Sequence, residues 1–158
     1  MKKIILILIF MSASLFAQKG DIEASINFGT MSGSGFGITY NLTDTARVKL
    51  DGFFVNVMDS DDDYQFYTLG ASVNLDLVQL KDGISSIYFL SSFSTILINN
   101  DNNRYESPVK VFAIGAGVRS FIGKKLFVEL ELGYGYYMYN KNDFMSMLAG
   151  NFNLGYRF

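Results

Sequence analysis

Cysteine, histidine and tryptophan are absent from this 158-residue chain, and proline occurs once, at Pro108. Without cysteine there is no disulfide scaffold, thiolate metal site, cysteine nucleophile or lipid-modified N-terminal cysteine. Without histidine the commonest general base and the commonest metal ligand are lost together. Charge is scarce too, at 18% of residues, and 13 basic side chains against 15 acidic ones offer no basic face for nucleic acid. What is present is a 49% hydrophobic chain with 15 glycines, of single-domain length.

Lys2 and Lys3 precede the apolar run Ile4-Ile5-Leu6-Ile7-Leu8-Ile9-Phe10-Met11, and Ser12-Ala13-Ser14 follows it. Charged, apolar and small residues in that order make a secretory signal peptide. The apolar run is far shorter than the ~20 residues a membrane-spanning helix needs. Residues 1–17 are therefore assigned to the signal, with cleavage after Ala17, and residues 18–158 to one mature domain.

From Asp21 onward the hydrophobic period is two, the period of a strand with one apolar face. Ile22, Ala24, Ile26 and Phe28 alternate with Glu23, Ser25 and Asn27; Phe36, Ile38, Tyr40 and Leu42 with Gly37, Thr39 and Asn41. Ala46, Val48, Leu50 and Phe54 alternate with Arg47, Lys49 and Asp51, and a fourth segment runs from Tyr67 to Leu77 against Thr68, Gly70, Ser72, Asn74 and Asp76. The fifth (Ile87, Phe89, Phe93, Leu97) and sixth (109–122) are ambiguous in phase: Tyr88, Leu90 and Ile96 make the fifth apolar on both sides, and in the sixth Gly115, Gly117 and Arg119 suggest the polar side. In the seventh, Leu126, Val128, Leu130, Leu132, Tyr134 and Tyr136 oppose Glu129, Glu131, Gly133 and Gly135. The eighth sets Leu148, Phe152, Leu154, Tyr156 and Phe158 against Asn151, Asn153, Gly155 and Arg157.

The connections alternate in character as well. Thr43-Asp44-Thr45, Lys81-Asp82-Gly83 and Ile122-Gly123-Lys124-Lys125 are tight, two of them with Gly where a hairpin turn needs positive φ. Between them lie the more polar connections Met31-Ser32-Gly33-Ser34, 58–63, 98–108 and 139–143, read as outward-facing loops. Short turns at one edge and longer loops at the other are the pattern of a membrane β-barrel.

A sheet this apolar on one face needs a cover, and no helical stripe is available to supply it. Closure solves the problem in two ways: a soluble barrel with its apolar side inward, or a membrane barrel with that side toward lipid. The polar side carries Arg47, Lys49, Asp51, Arg119, Glu129, Glu131 and Arg157 among small residues, a set that would fill an eight-stranded interior as an ion-pair lattice. The apolar side places Phe and Tyr toward segment ends, as an aromatic girdle requires. The predicted fold is all-β: an eight-stranded antiparallel up-and-down transmembrane β-barrel.

With its signal peptide, eight alternating segments and terminal Asn153-Leu154-Gly155-Tyr156-Arg157-Phe158, the chain resembles the small eight-stranded outer-membrane barrels of the OmpA/OmpX type. Phe152, Leu154, Tyr156 and Phe158 resemble the C-terminal signal read by the outer-membrane assembly machinery. The resemblance implies a monomer in the outer membrane, with lipid and lipopolysaccharide around it and both termini periplasmic. Barrels of this size that modify lipid A use a catalytic histidine, which this chain lacks.

Candidate sites are few. Asp59, Asp61 and Asp63 alternate as calcium ligands do, but the loop lacks the Gly and closing Glu of an EF-hand and reads as a solvated acidic loop. Glu129 and Glu131 lie about 6–7 Å apart along one strand face, a hydrolase-like spacing, yet they share that face with arginines and a lysine that would pair with them. Gly33-Ser34-Gly35-Phe36-Gly37 and Gly115-Ala116-Gly117 open no helix and carry no phosphate-binding lysine. Tyr134, Tyr136, Tyr137 and Tyr139 read as interface aromatics. No cofactor is implied. Three functions compete: a non-enzymatic structural, surface-contact or adhesion-like barrel, a narrow small-solute pore, and an exported soluble lipid-binding barrel.

Overall fold

Alternating β-branched, aromatic and leucine residues broken by Asp, Asn and Gly turns favour strands joined as hairpins. The computed structural model describes residues 20–58, 63–80, 85–100, 108–139 and 143–158, and within them it shows eight strands. They are β1 (Ile22–Gly29), β2 (Gly35–Asn41), β3 (Ala46–Met58), β4 (Asp63–Gln79), β5 (Ser85–Asn100), β6 (Val109–Ile122), β7 (Leu126–Met138) and β8 (Phe144–Arg157). Each pairs antiparallel with the next, and β8 closes on β1 from Glu23↔Arg157 to Gly29↔Asn151. The expected signal peptide and cleavage point lie outside the described residues.

Polarity is inverted relative to a soluble protein. Leu50, Leu69, Leu130, Leu132, Ile114 and Phe152 stand exposed on the outer surface. Glu23, Arg47, Lys49, Asp51, Arg119, Glu129 and Glu131 are buried inside. A soluble lipid carrier needs an apolar interior, so this arrangement fits a barrel solvated by hydrocarbon and closed so that no sheet seam runs its length. Among the described residues no helix is long and apolar enough to cross a membrane. The crossing elements are strands.

The start of β1, the end of β8 and the described tight turns share one end of the barrel, the terminal end. At residues 43–45 the Thr43 hydroxyl accepts from the Thr45 and Ala46 amides. Gly123 turns at φ +74°, the left-handed region that Gly enters without a Cβ penalty. The 81–83 turn lies outside the described residues, but Leu80 N–H donates to the Ser85 carbonyl at 2.8 Å across it. Aromatic pairs mark both ends of the wall: Tyr156–Phe158 at the terminal end, Phe54–Tyr67 and Tyr136–Phe144 at the loop end.

The two segments without clear phase are settled by side-chain size. Tyr88 and Leu90 of β5 point inward and are fully buried, with Ser92 and Ser94 continuing that face. On β6 the inward face is Val111, Ala113, Gly115, Gly117 and Arg119. Glycines opposite large residues make the fit: a Cβ on Gly117 would strike the Tyr88 ring. Tyr137 corrects the reading of β7, because it lies one step out of phase with Tyr134 and Tyr136 and is buried in the lumen.

Candidate functional site

Among the described residues, polar chemistry converges in the lumen, on four levels. Nearest the terminal end, Glu23 on β1 receives Arg119 Nη2 at 2.5 Å and Arg157 Nε at 2.9 Å. One level deeper, Glu129 accepts from Arg47 Nη1 at 2.9 Å and from Asn153 Nδ2 at 3.1 Å, with Arg119 Nε at 3.6 Å. Arg47 reaches on through Nη2 to Asp76 at 2.9 Å. The guanidinium groups also stack on rings: Arg47 lies 4.7 Å from the Tyr88 centroid and Arg119 lies 4.1 Å from Phe127. Buried charges that form no pairs cost several kcal/mol each, so these side chains hold one another in place.

In the middle, Glu131 accepts from the Tyr88 hydroxyl at 2.9 Å and Asn151 Nδ2 at 3.0 Å. Lys49 Nζ stands 3.7 Å from Asp51 and 3.8 Å from Glu131, and Asn27 donates to Asp51. Of the seven residues proposed for an interior lattice, Arg47, Lys49, Asp51, Arg119, Glu129 and Glu131 are buried here. Arg157 is partly exposed at the terminal mouth. Glu129 and Glu131 share the lumen face of β7 but are held by different groups: Arg47, Arg119 and Asn153 on Glu129, and Lys49, Tyr88 and Asn151 on Glu131. The alternation also marks Glu23, Asp76, Asn151 and Asn153; Asp76, Asn151 and Asn153 meet Arg47, Glu131 and Glu129 across neighbouring strands, whereas Glu23 meets Arg119 on β6 and Arg157 on β8 only because the barrel closes.

The fourth level is the 30–34 connection, and here the structure overturns an expectation. These residues do not project outward. They fold into the barrel, with Met31 and Ser32 fully buried. Met31 packs with Tyr88, Leu90, Ala113 and Ala149. Its Cε lies where a Cβ on Gly115 or Gly133 would stand, 2.8 and 2.7 Å from those ideal positions. Met31 N–H donates to Asn151 Oδ1 at 3.1 Å, and Ser92 Oγ donates to the Met31 carbonyl at 2.8 Å. Asn151 Nδ2 donates to Ser32 Oγ at 2.6 Å, and Thr68 Oγ1 donates to the Ser34 carbonyl at 2.7 Å. A buried loop must satisfy its backbone, and this one does so with side chains from three strands. Composition alone could not show it, since Met-Ser-Gly-Ser reads as an exposed turn. The available signal was the small-residue row Gly70, Gly115 and Gly133, which leaves room for an insert.

At the terminal end a recess of about 800 Å³ runs inward past Asp21, Asn41 and Lys124 to Arg47, Asp76 and Arg119. It stops at the ion pairs. Solute entering from that side meets the Arg47–Glu129–Arg119 level, then the Tyr88–Glu131–Lys49 level, then Met31.

Asp59 and Asp61 lie outside the described residues, as do the side chain of Asp63 and residues 101–107. Among the described residues, no group of three or more acidic side chains is arranged to hold a metal ion. At the C-terminus Phe152, Leu154, Tyr156 and Phe158 form the outer face of β8, and Phe158 N–H donates to the Ile22 carbonyl at 3.0 Å.

Fold and lumen together define a class: a small up-and-down barrel, apolar outside, ion-paired inside and plugged by its own first loop. Among solved structures, the chain is similar to the N-terminal β-barrel domain of Pseudomonas aeruginosa OprF. The identity is 18%, with 88% of this chain and 96% of that one covered at a TM-score of 0.54. Neisserial surface protein A matches at 19% identity and TM-score 0.47, covering 87% of this chain and 94% of the other. The Yersinia pestis attachment invasion locus protein Ail, in complex with the heparin analogue sucrose octasulfate, matches at 17% and 0.43, covering 88% and 97%. No family model and no curated protein matches the sequence. The OprF match supports the eight-stranded barrel fold and nothing finer.

Proposed function

We propose that this protein is a monomeric outer-membrane barrel that serves the envelope as a structural and surface-contact element, conducting nothing and carrying no chemistry of its own. The observation that carries the reading is the inversion of polarity: leucine, isoleucine and phenylalanine outside, arginine, lysine and glutamate buried inside. The tight turns and both termini face the periplasm in this proposal, and the outer contact surface is formed by the polar connections read at 58–63 and 98–108, shortened to 59–62 and 101–108 because Met58, Asp63 and residues 98–100 belong to paired strands. Lipid and lipopolysaccharide surround the wall, and the C-terminal aromatic strand directs assembly. The narrow-pore reading has the terminal recess in its favour, but the ion-pair levels and Met31 stand across the path.

A gel-mobility comparison on fractionated envelopes tests the location and fold. The band is expected in the outer-membrane fraction, migrating faster before boiling in SDS than after. Recovery as a soluble protein with no mobility shift would overturn the reading and revive the exported carrier.

A further inference from the structure

The wall of the barrel is not of even height. On β7 the outward face is apolar from Leu126 to Tyr136, which at the usual rise and tilt is about 26 Å. On β1 it ends at Phe28 and on β2 at Phe36, where the chain turns into the lumen, leaving about 16 Å from Ile22 to Phe28. The two flanking strands continue past that short hairpin. Pairing of β2 with β3 ends at Phe36↔Gly52, and pairing of β1 with β8 ends at Gly29↔Asn151, with one more bond from Thr30 N–H to the Gly150 carbonyl. Among the described residues, nothing pairs with the β1-side edge of 144–149 or the β2-side edge of 53–58. The rim therefore carries a notch two strands wide.

Its surroundings are unusual for a barrel. Leu148 is 80% exposed, and Met145 and Met147, which face inward by register, are 46% and 44% exposed because no wall stands beside them. Phe28 and Phe36 crown the short hairpin at 61% and 68% exposure. The notch is continuous with the lipid-facing surface below and beside it. Free strand edges cannot sit in hydrocarbon, where each unpaired backbone group costs several kcal/mol. Acyl chains alone therefore cannot fill it.

We propose that the notch is a docking site for polar lipid headgroups of the leaflet at the loop end, which dip to the level of Phe28 and Phe36. The phosphate oxygens and headgroup water of those lipids pair with the free edges of β3 and β8. The bilayer is thinned locally on this side, because a short apolar wall draws the surface toward it. This inference rests on the membrane reading of the barrel and adds a specific, one-sided lipid contact.

The absence of native cysteine allows clean single-site spin labels. Leu148→Cys and Tyr134→Cys are register partners on β8 and β7; Phe54→Cys and Tyr67→Cys are register partners on β3 and β4. Each variant is refolded into dimyristoylphosphatidylcholine vesicles and checked by gel mobility. Immersion depth is then read from oxygen and nickel-chelate collision rates. Strand tilt offsets the two members of a pair by about 3 Å, in opposite senses on the two flanks, so the offset cancels on averaging. The expected result is that labels at 148 and 54 lie about 5–10 Å shallower than those at 134 and 67 on average, the height of wall that is missing. Equal depths would overturn the proposal, as would a disulfide-linked dimer of Leu148→Cys, which would assign the notch to a second copy. Leu130→Cys, at mid-wall, separates the two failures: a label there in water would refute the membrane reading itself.

Discussion

Glu129 accepts hydrogen bonds from Arg47 and Asn153 and stands 3.6 Å from the Arg119 guanidinium. Removing one partner of a buried ion pair leaves the others uncompensated, so Glu129→Ala is expected to lose about 3–5 kcal/mol in urea unfolding from vesicles. The Asp21–Arg157 contact at 3.6 Å is half in solvent. Asp21→Ala is therefore expected to cost no more than about 1 kcal/mol in the same assay. Tyr88 makes a second test of residue-level fit. Because a Cβ at position 117 meets the phenol ring, Gly117→Ala should cost about 1–3 kcal/mol by overpacking. A shift below a few tenths would mean that Tyr88 has room to move.

Among the elements, the 30–34 connection does most to decide whether the barrel is open or closed. Met31→Ala removes the side chain between Gly115 and Gly133 and is expected to lose about 2–5 kcal/mol, measured in the same unfolding series. An exposed loop methionine would show almost no effect. The eighth strand carries a different prediction. Phe158→Ala is expected to lower the amount of folded protein in cell envelopes while leaving refolding into detergent micelles unchanged, because an assembly signal acts during biogenesis. Equal loss in both settings would make Phe158 a packing residue only. Strand positions and faces were legible in the sequence wherever small or charged residues alternated with large apolar ones, as in β1 to β4, β7 and β8. The phase of β5 was not, because a lumen-filling Tyr88 and Leu90 carry the same signature as lipid-facing residues. The inward fold of Met31 was not legible either: it depends on space left by glycines on β4, β6 and β7, which neighbour the loop only after closure.

For the molecule as a whole, the proposed function combines a tall wall on the β5–β7 side, a short one at β1–β2 and a lumen crossed by ion pairs and Met31 into an object whose contacts are with lipid and with whatever its outer loops meet. Its interior serves cohesion: the cations and anions inside are spent on one another, and the terminal recess ends against them. The most direct test of this account is the conductance of the refolded wild-type barrel in a planar bilayer, with folding verified by its mobility before boiling. A lumen closed by ion pairs and Met31 should give a current indistinguishable from that of the protein-free membrane, across voltages of either sign. Discrete, reproducible channel openings from the folded band would contradict it, because they would require the ion-pair levels and Met31 to part together.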